Sequence, residues 1–207
     1  QSAKLAFNAE EWQSYSAVER GKMVYKLGDL IEENKEELAR LETLNTGKTY
    51  AESIWDMDDI AGIFRYYGGL ADKNEGEGIA SPNPNTQSRL VKEPVGVVGM
   101  ICPWNYPLLQ AAWKIAPALA AGCTMVIKPS EFTPLTTLFW TQLAEKAGFP
   151  KGVINTVLGP GHSIGAELAE NPEIDMISFT GGVVTGKKIM KAAAGNVKKV
   201  ALELGGK

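Results

Sequence analysis

The sequence predicts an α/β protein: a doubly wound, mostly parallel five-stranded sheet, preceded by a helical region and a projecting β-arm. Three observations carry this. From Val95 onward, short apolar runs alternate with amphipathic segments five times, the pattern of βαβ units. Residues 16–71 instead repeat their apolar positions at helical spacing. Between these regions, Gly76, Gly78, Pro82 and Pro84 break residues 76–93 into short extended pieces.

Each element follows from local residues. Ser16-Ala-Val-Glu19 has capping-box spacing and opens a helix with Val24, Leu27, Leu30 and Ile31 on one face. Asn34 is expected to cap the next helix, with Glu37 three residues on, Leu38, Leu41 and Leu44 as its stripe and Gly47 as its stop. A third helix carries Tyr50, Ile54, Met57, Ile60, Ala61, Phe64 and Tyr67 and ends near Gly68-Gly69. Residues 76–93 read as a β-hairpin with its tip at Ser81-Pro-Asn-Pro-Asn-Thr86. The core strands are expected near 95–101, 123–129, 153–158, 174–179 and 199–204. VGVVGMI is apolar throughout, as for a strand buried on both faces. Pro107 opens the helix after it, and Pro117 inside that helix predicts a kink or break. Later helices open at Thr133-Pro134, at His162 and at Val183. The chain therefore divides into an amino-terminal helical part (1–75), an arm (76–93) and a sheet core (94–207).

Composition narrows the function. The 207 residues are 44% hydrophobic and 22% charged, with a net charge of −3 and both signs scattered. No basic patch suggests nucleic acid, and no apolar run reaches membrane-span length. The first residues, QSAKLAFNAEEW, lack a signal-peptide pattern. Two cysteines in apolar surroundings suit a reduced, cytoplasmic setting.

Ligands of doubly wound sheets bind beyond the carboxyl ends of the strands. That rule singles out residues 103–107, 128–131, 159–162, 180–186 and 203–207. Glu131 stands where a dinucleotide-binding sheet places an acid for the adenosine ribose, and its charge would repel the extra phosphate of NADP. Lys128 could serve the same ribose; a solvated pair at a strand end is the equal alternative. Thr180-Gly-Gly-Val-Val-Thr-Gly186 joins a strand to a helix and could cradle a phosphate, although a tight turn is the default for such a glycine pair. Gly159-Pro-Gly161 is a weaker signal, and the usual G-x-G-x-x-G is absent after the first core strand. Glu203, within an apolar strand, suits a general base or a carboxylate held by backbone N–H groups. Asn105 could donate to a developing oxyanion or cap a helix. Tyr106 and Trp113 are two helical turns apart and could share a face, as core or as a pocket for a cationic group. Lys114 is either a snorkelling surface residue or a charge directed at the site. Cys102 and Cys123 read as buried hydrophobes, His162 as a surface or cap histidine, and no cluster has metal-ligand spacing.

Cys102-Pro-Trp-Asn-Tyr-Pro107, Trp113-Lys114, Lys128-Pro-Ser-Glu131, Phe179-Thr-Gly-Gly182 with Gly186, and Glu203-Leu-Gly-Gly-Lys207 occur in an order that resembles the NAD(P)-dependent aldehyde dehydrogenase superfamily. The wording of CPWNYPLLQAAWKIAPALAAG is similar to its betaine-aldehyde branch. The resemblance covers essentially the whole chain. It implies a Rossmann-like NAD-binding core and NAD-dependent oxidation of an aldehyde to an acid through a cysteine thiohemiacetal. Lys128, Pro129, Ser130 and Glu131 would hold the ribose, with Gly161 near the adenine. Gly181, Gly182, Val183, Val184, Thr185 and Gly186 would face the pyrophosphate. Pro103, Trp104 and Leu204 would line the cofactor. Asn105 would polarise the aldehyde oxygen, Glu203 would activate the hydrolytic water, and Lys114 would be an accessory charge. Tyr106 and Trp113 would contact the substrate, and the arm would join a homo-oligomer, a dimer or tetramer. Many members carry Ser where Gly182 stands, which puts one phosphate contact in doubt. The family's nucleophile follows the last motif in a second domain, and the start of this chain also reads as internal. The expectation is thus a fragment lacking the catalytic domain and inactive alone. Two other readings stand beside it: a non-catalytic nucleotide-binding or assembly module, and a CoA-acylating enzyme. Glu203 argues against the latter, which needs no hydrolytic base.

Overall fold

The chain begins with two short helices, α1 (Ser2–Asn8) and α2 (Glu10–Gln13), in a computed structural model that describes residues 1–206. Sequence periodicity did not reveal them, because each is too short to repeat an apolar stripe. Their anchors are tertiary. The Trp12 indole N–H donates to the Gly122 carbonyl at 2.9 Å, and Thr124 Oγ1 donates to the Ala3 carbonyl.

Three long helices follow: α3 (Ala17–Glu33), α4 (Lys35–Thr46) and α5 (Tyr50–Leu70). The Ser16–Glu19 capping box forms as expected, and Gly47 ends α4 in the left-handed conformation at φ 81°. Asn34 does not cap α4. Its amide turns back and donates to the Leu30 carbonyl at 2.7 Å, so it serves the exposed end of α3 instead. Thr49 caps α5 through its hydroxyl.

The arm is an antiparallel hairpin of β1 (Glu77–Ile79) and β2 (Ser88–Leu90), exposed along both strands. The sheet comprises β3 (Val97–Ile101), β4 (Thr124–Lys128), β5 (Ile154–Thr156), β6 (Met176–Gly181) and β7 (Lys199–Leu204). All neighbours are parallel, in the order β5-β4-β3-β6-β7. Between them lie α6 (Pro107–Ala121), α7 (Leu135–Ala147), a π-turn at Gly161–Gly165 leading into α8 (Ala166–Glu170), and α9 (Val183–Ala193). Pro117 does not break α6. It removes one backbone donor, but the helix is buried along Leu108, Ala112, Ile115 and Leu119, and this packing holds it continuous.

Alternation along β3 divides the interior. Val98 and Met100 join a core with α3, α5, α6 and α7, while Val97 and Ile101 join one with α1, α8 and α9. The chain runs outward from β3 through β4 to β5, then returns to its other side through β6 and β7. Strand order therefore reverses between β3 and β6, and that switch point is where such sheets bind ligands.

Candidate functional site

On the β4 side of the switch point, three expected residues meet. Lys128 ends β4 with its side chain 2% exposed, and its Nζ donates to the Pro129 carbonyl at 2.8 Å and to Glu131 Oε2 at 3.2 Å. Glu131 Oε1 accepts from the Gly161 N–H at 3.2 Å, across from the β5 end. Its own backbone N–H, then Lys128 and the Gly161 N–H, hold the Glu131 carboxyl below the usual carboxylate range. The carboxylate is thus charged and fixed, yet still open to solvent. Ser130 is buried, and its hydroxyl accepts from the Phe132 N–H to close the turn. His162 lies exposed on the π-turn.

On the β6 side, Lys114 reaches from α6 to the sheet end. Its Nζ donates to Thr180 Oγ1 at 2.6 Å and to the Gln110 carbonyl at 3.2 Å. Burial pushes its ammonium pKa down, against the pull of Cys102 and Glu203. Thr180 is the register partner of Glu203 on β7, so Lys114, Thr180 and Glu203 share one corner. Glu203 is exposed rather than buried in the apolar strand, because β7 is the sheet's edge and its last two residues lie uncovered. Lys207, the end of that motif, lies outside the described residues.

Between these corners runs the turn after β3. Pro103 is half-buried, and Trp104 is exposed with its carbonyl accepting from Thr133 Oγ1 at 3.0 Å. Asn105 is exposed, and among the described residues its amide caps nothing; Tyr106 is the N-cap position of α6, without a side-chain cap. The two-turn spacing of Tyr106 and Trp113 does not put them on one face. Tyr106 precedes the helix at φ −132°, donates its hydroxyl to Glu52 Oε1 at 2.8 Å, and has Lys48 Nζ over its ring at 3.8 Å. Trp113 is exposed and lines a different feature, a cleft of about 520 Å³ with Tyr66, Tyr67, Ile63, Asp58 and Asp59. Sequence reasoning missed Tyr66, Tyr67 and the two acids as cleft residues, since they read as ordinary faces of α5.

The glycines divide by what surrounds them. A Cβ at Gly186 would come within 2.8 Å of the Leu204 side chain, and one at Gly181 within 2.5 Å of the Phe179 ring. At both positions a side chain would press on a neighbouring apolar group. Gly182 differs: a Cβ there would meet nothing within 4 Å. It precedes α9 in an extended conformation, and Val183, Val184 and Thr185 are exposed beside it. The first N–H groups of a helix have no partner within it, so this end offers donors to an anion.

Cys102 is buried, with its thiol pushed up to about 11 by burial, and Cys123 is also buried with a raised pKa. Neither has the thiolate character of a nucleophile. Among the described residues no acid, His and Cys cluster could hold a metal ion, and no helix is long and apolar enough to cross a membrane. What remains is a strand-end surface with a fixed carboxylate at one corner, an open helix N-terminus, and a Lys–Thr–Glu corner.

Comparison with known proteins agrees with this geometry. A sequence profile described as the aldehyde dehydrogenase family matches residues 1–207. The chain is 64% identical over 206 residues to betaine aldehyde dehydrogenase of Bacillus subtilis, covering all of this chain and 42% of that protein. It is 46% identical to the peroxisomal aminoaldehyde dehydrogenase 1 of Pisum sativum, over 97% of this chain and 40% of that one. A crystal structure of betaine aldehyde dehydrogenase from Staphylococcus aureus in complex with NAD+ superposes with a TM-score of 0.97 at 59% identity, covering 99% of this chain and 41% of that chain. The chain therefore spans about two fifths of the length of these relatives.

Proposed function

The chain belongs to the aldehyde dehydrogenase family, and on that basis we propose that the protein oxidises an aldehyde to a carboxylic acid with NAD as hydride acceptor. NAD, when bound, supplies the acceptor carbon for the hydride. This chain's residues bind and orient. Glu131 and Lys128 take the adenosine ribose hydroxyls, with Pro129 and Ser130 shaping the turn and Gly161 close to the adenine. The N–H groups of Val183, Val184 and Thr185 take the pyrophosphate beside Gly182. Pro103, Trp104 and Leu204 flank the cofactor. The Asn105 amide donates to the aldehyde oxygen as negative charge develops there. Glu203 accepts a proton from the water that releases the acid, and Lys114 sets the local charge through Thr180. Because Cys102 and Cys123 are buried, we assign the thiohemiacetal-forming cysteine to a position outside these 207 residues.

The carrying observation is that the fixed Glu131 carboxylate and the Lys114–Thr180–Glu203 corner face the same switch point from opposite sides. The substrate reading rests on the Trp113 cleft. Aromatic faces from Tyr66, Tyr67 and Trp113 lie beside two carboxylates, of which Asp58 is paired with Lys35. Such a surface attracts a quaternary ammonium by cation–π and ionic forces. A short aldehyde carrying a quaternary ammonium suits the aromatic and acidic lining of this cleft. Betaine aldehyde, giving glycine betaine, has that form. The exposed arm is assigned to a homo-oligomer contact, and the reduced cysteines to a cytoplasmic enzyme.

The experiment follows NADH formation by the protein as its gene encodes it, with betaine aldehyde and with its neutral tert-butyl isostere. The expected result is turnover without CoA, favouring the cationic substrate, and loss of steady turnover in Glu203→Gln. Turnover only with CoA would identify an acylating enzyme. No turnover of any aldehyde would leave an assembly or nucleotide-binding module. Equal kcat/KM for the two aldehydes would remove the cationic substrate alone.

A further inference from the structure

Lys48 lies between α4 and α5 with its side chain 9% exposed. Its ammonium is 2.6 Å from Asp56 Oδ2, 4.0 Å from Glu42 Oε1 and 3.8 Å from the centroid of the Tyr106 ring. A charge this deeply buried is tolerated only when paired. Asp56 pairs it; the tyrosine ring adds a second, directional attraction. The same ring is held at its far end by the hydroxyl's bond to Glu52 of α5. Tyr106 is therefore gripped by its face and its edge.

That grip bears on the turn after β3. Residues 102–106 carry few fixed points: the Cys102 N–H on the Lys128 carbonyl at 3.1 Å, and the Trp104 carbonyl on Thr133 Oγ1 at 3.0 Å. Tyr106 has no side-chain cap, and Pro107 at the first helical position has no N–H to offer. The Tyr106 carbonyl accepts from the Gln110 N–H at 2.9 Å, while its side chain is oriented by Lys48 and Glu52, and the residue between the two sets of anchors is Asn105.

We propose that Lys48 is a positioning residue: by holding the Tyr106 ring against the α4–α5 cluster, it aims the Asn105 amide at the aldehyde oxygen. The proposal rests on the role given to Asn105 above. It explains why a buried ammonium is placed against a tyrosine face, where a hydrophobic residue would pack more simply.

The test is a cycle in the protein as its gene encodes it: Lys48→Met, Lys48→Arg, Asn105→Ala, and Lys48→Met combined with Asn105→Ala. Small misplacements of a reacting group cost up to about a hundredfold in rate. The expected result for Lys48→Met is a fall in kcat on the order of tenfold, with KM for NAD unchanged. Lys48→Arg, which keeps a cation over the ring, recovers most of it. In the Asn105→Ala background, Lys48→Met causes no further loss. Losses that multiply in the combined variant, or a loss shared by NAD binding, overturn the proposal. If Asn105→Ala leaves kcat intact, the oxyanion role itself falls, and the positioning role with it. If Asn105→Ala lowers kcat while Lys48→Met does not, only the positioning role falls. Should Lys48→Met fail to fold, Tyr106→Leu, which removes the ring that Lys48 holds, gives the same cycle with Asn105→Ala.

Discussion

Glu131 stood out in the sequence by its position along the chain: an acid just past a strand end needs no tertiary knowledge to be noticed. The structure adds that Lys128 and the Gly161 N–H already hold it. Replacing it with Gln should relieve repulsion of the NADP phosphate, of order 1 kcal/mol for charges about 4 Å apart in water. Calorimetric titration of both cofactors should show the NAD-to-NADP affinity ratio falling by several-fold; an unchanged ratio removes the role. Tyr106 and Asn34 were not legible, because side-chain direction at a helix boundary is set by tertiary partners: Lys48 and Glu52 for the one, the Leu30 carbonyl for the other. Glu42 was also invisible. It is fully buried, accepts from Thr136 Oγ1 at 2.6 Å and leaves Oε1 without a hydrogen bond; burial raises its pKa. The folded protein therefore keeps that proton to higher pH than the unfolded chain. The resulting stability is full below the unfolded value near 4.5 and is lost as pH rises through the folded pKa. Glu42→Gln should flatten the decline of the thermal midpoint across that window, and an unaltered slope would show that Glu42 does not titrate there.

Elements were legible in proportion to their periodicity. The five strands fall within two residues of expectation because each is an apolar run ended by Gly, Pro or a charge. The short α1 and α2 escaped notice, since Trp12 and Ala3 acquire meaning only when they meet Gly122 and Thr124. Gly186 was read as a phosphate residue from its place between strand and helix; the structure adds that a Cβ there would meet the Leu204 side chain. Gly186→Ala puts a methyl against the end of the flexible, partly exposed Leu204 side chain, which can turn aside, and Ala favours the helix over Gly by about 1 kcal/mol. It should leave the denaturation midpoint level or raised; a large loss of NAD affinity at that stability would assign Gly186 a phosphate contact. The hairpin of β1 and β2 is too short to be stable alone, yet it exposes Ile79, Leu90 and Val91. Its amides should exchange slowly with solvent when the protein is concentrated and quickly on dilution. Fast exchange at every concentration removes the subunit contact.

For the molecule as a whole, order carried more information than any single motif. Each glycine pair or strand-end acid also had a structural explanation, but the sheet brings residues from five distant stretches to one edge. The reversal of strand order between β3 and β6 puts the Glu131 corner and the Glu203 corner on either side of the switch point. The cleft on α5 and α6 was not foreseen, because Tyr66 and Trp113 belong to helices that pack only in three dimensions. Hydrogen exchange of the protein with and without saturating NAD tests this assembly of the site. The account predicts slowed exchange at Trp104–Tyr106, at Glu131, at Gly161–Ile164 and at Val183–Thr185, all on the carboxyl edge of the sheet. Protection confined to the opposite edge, around Asp175 and Lys199, or no protection at all, would contradict it.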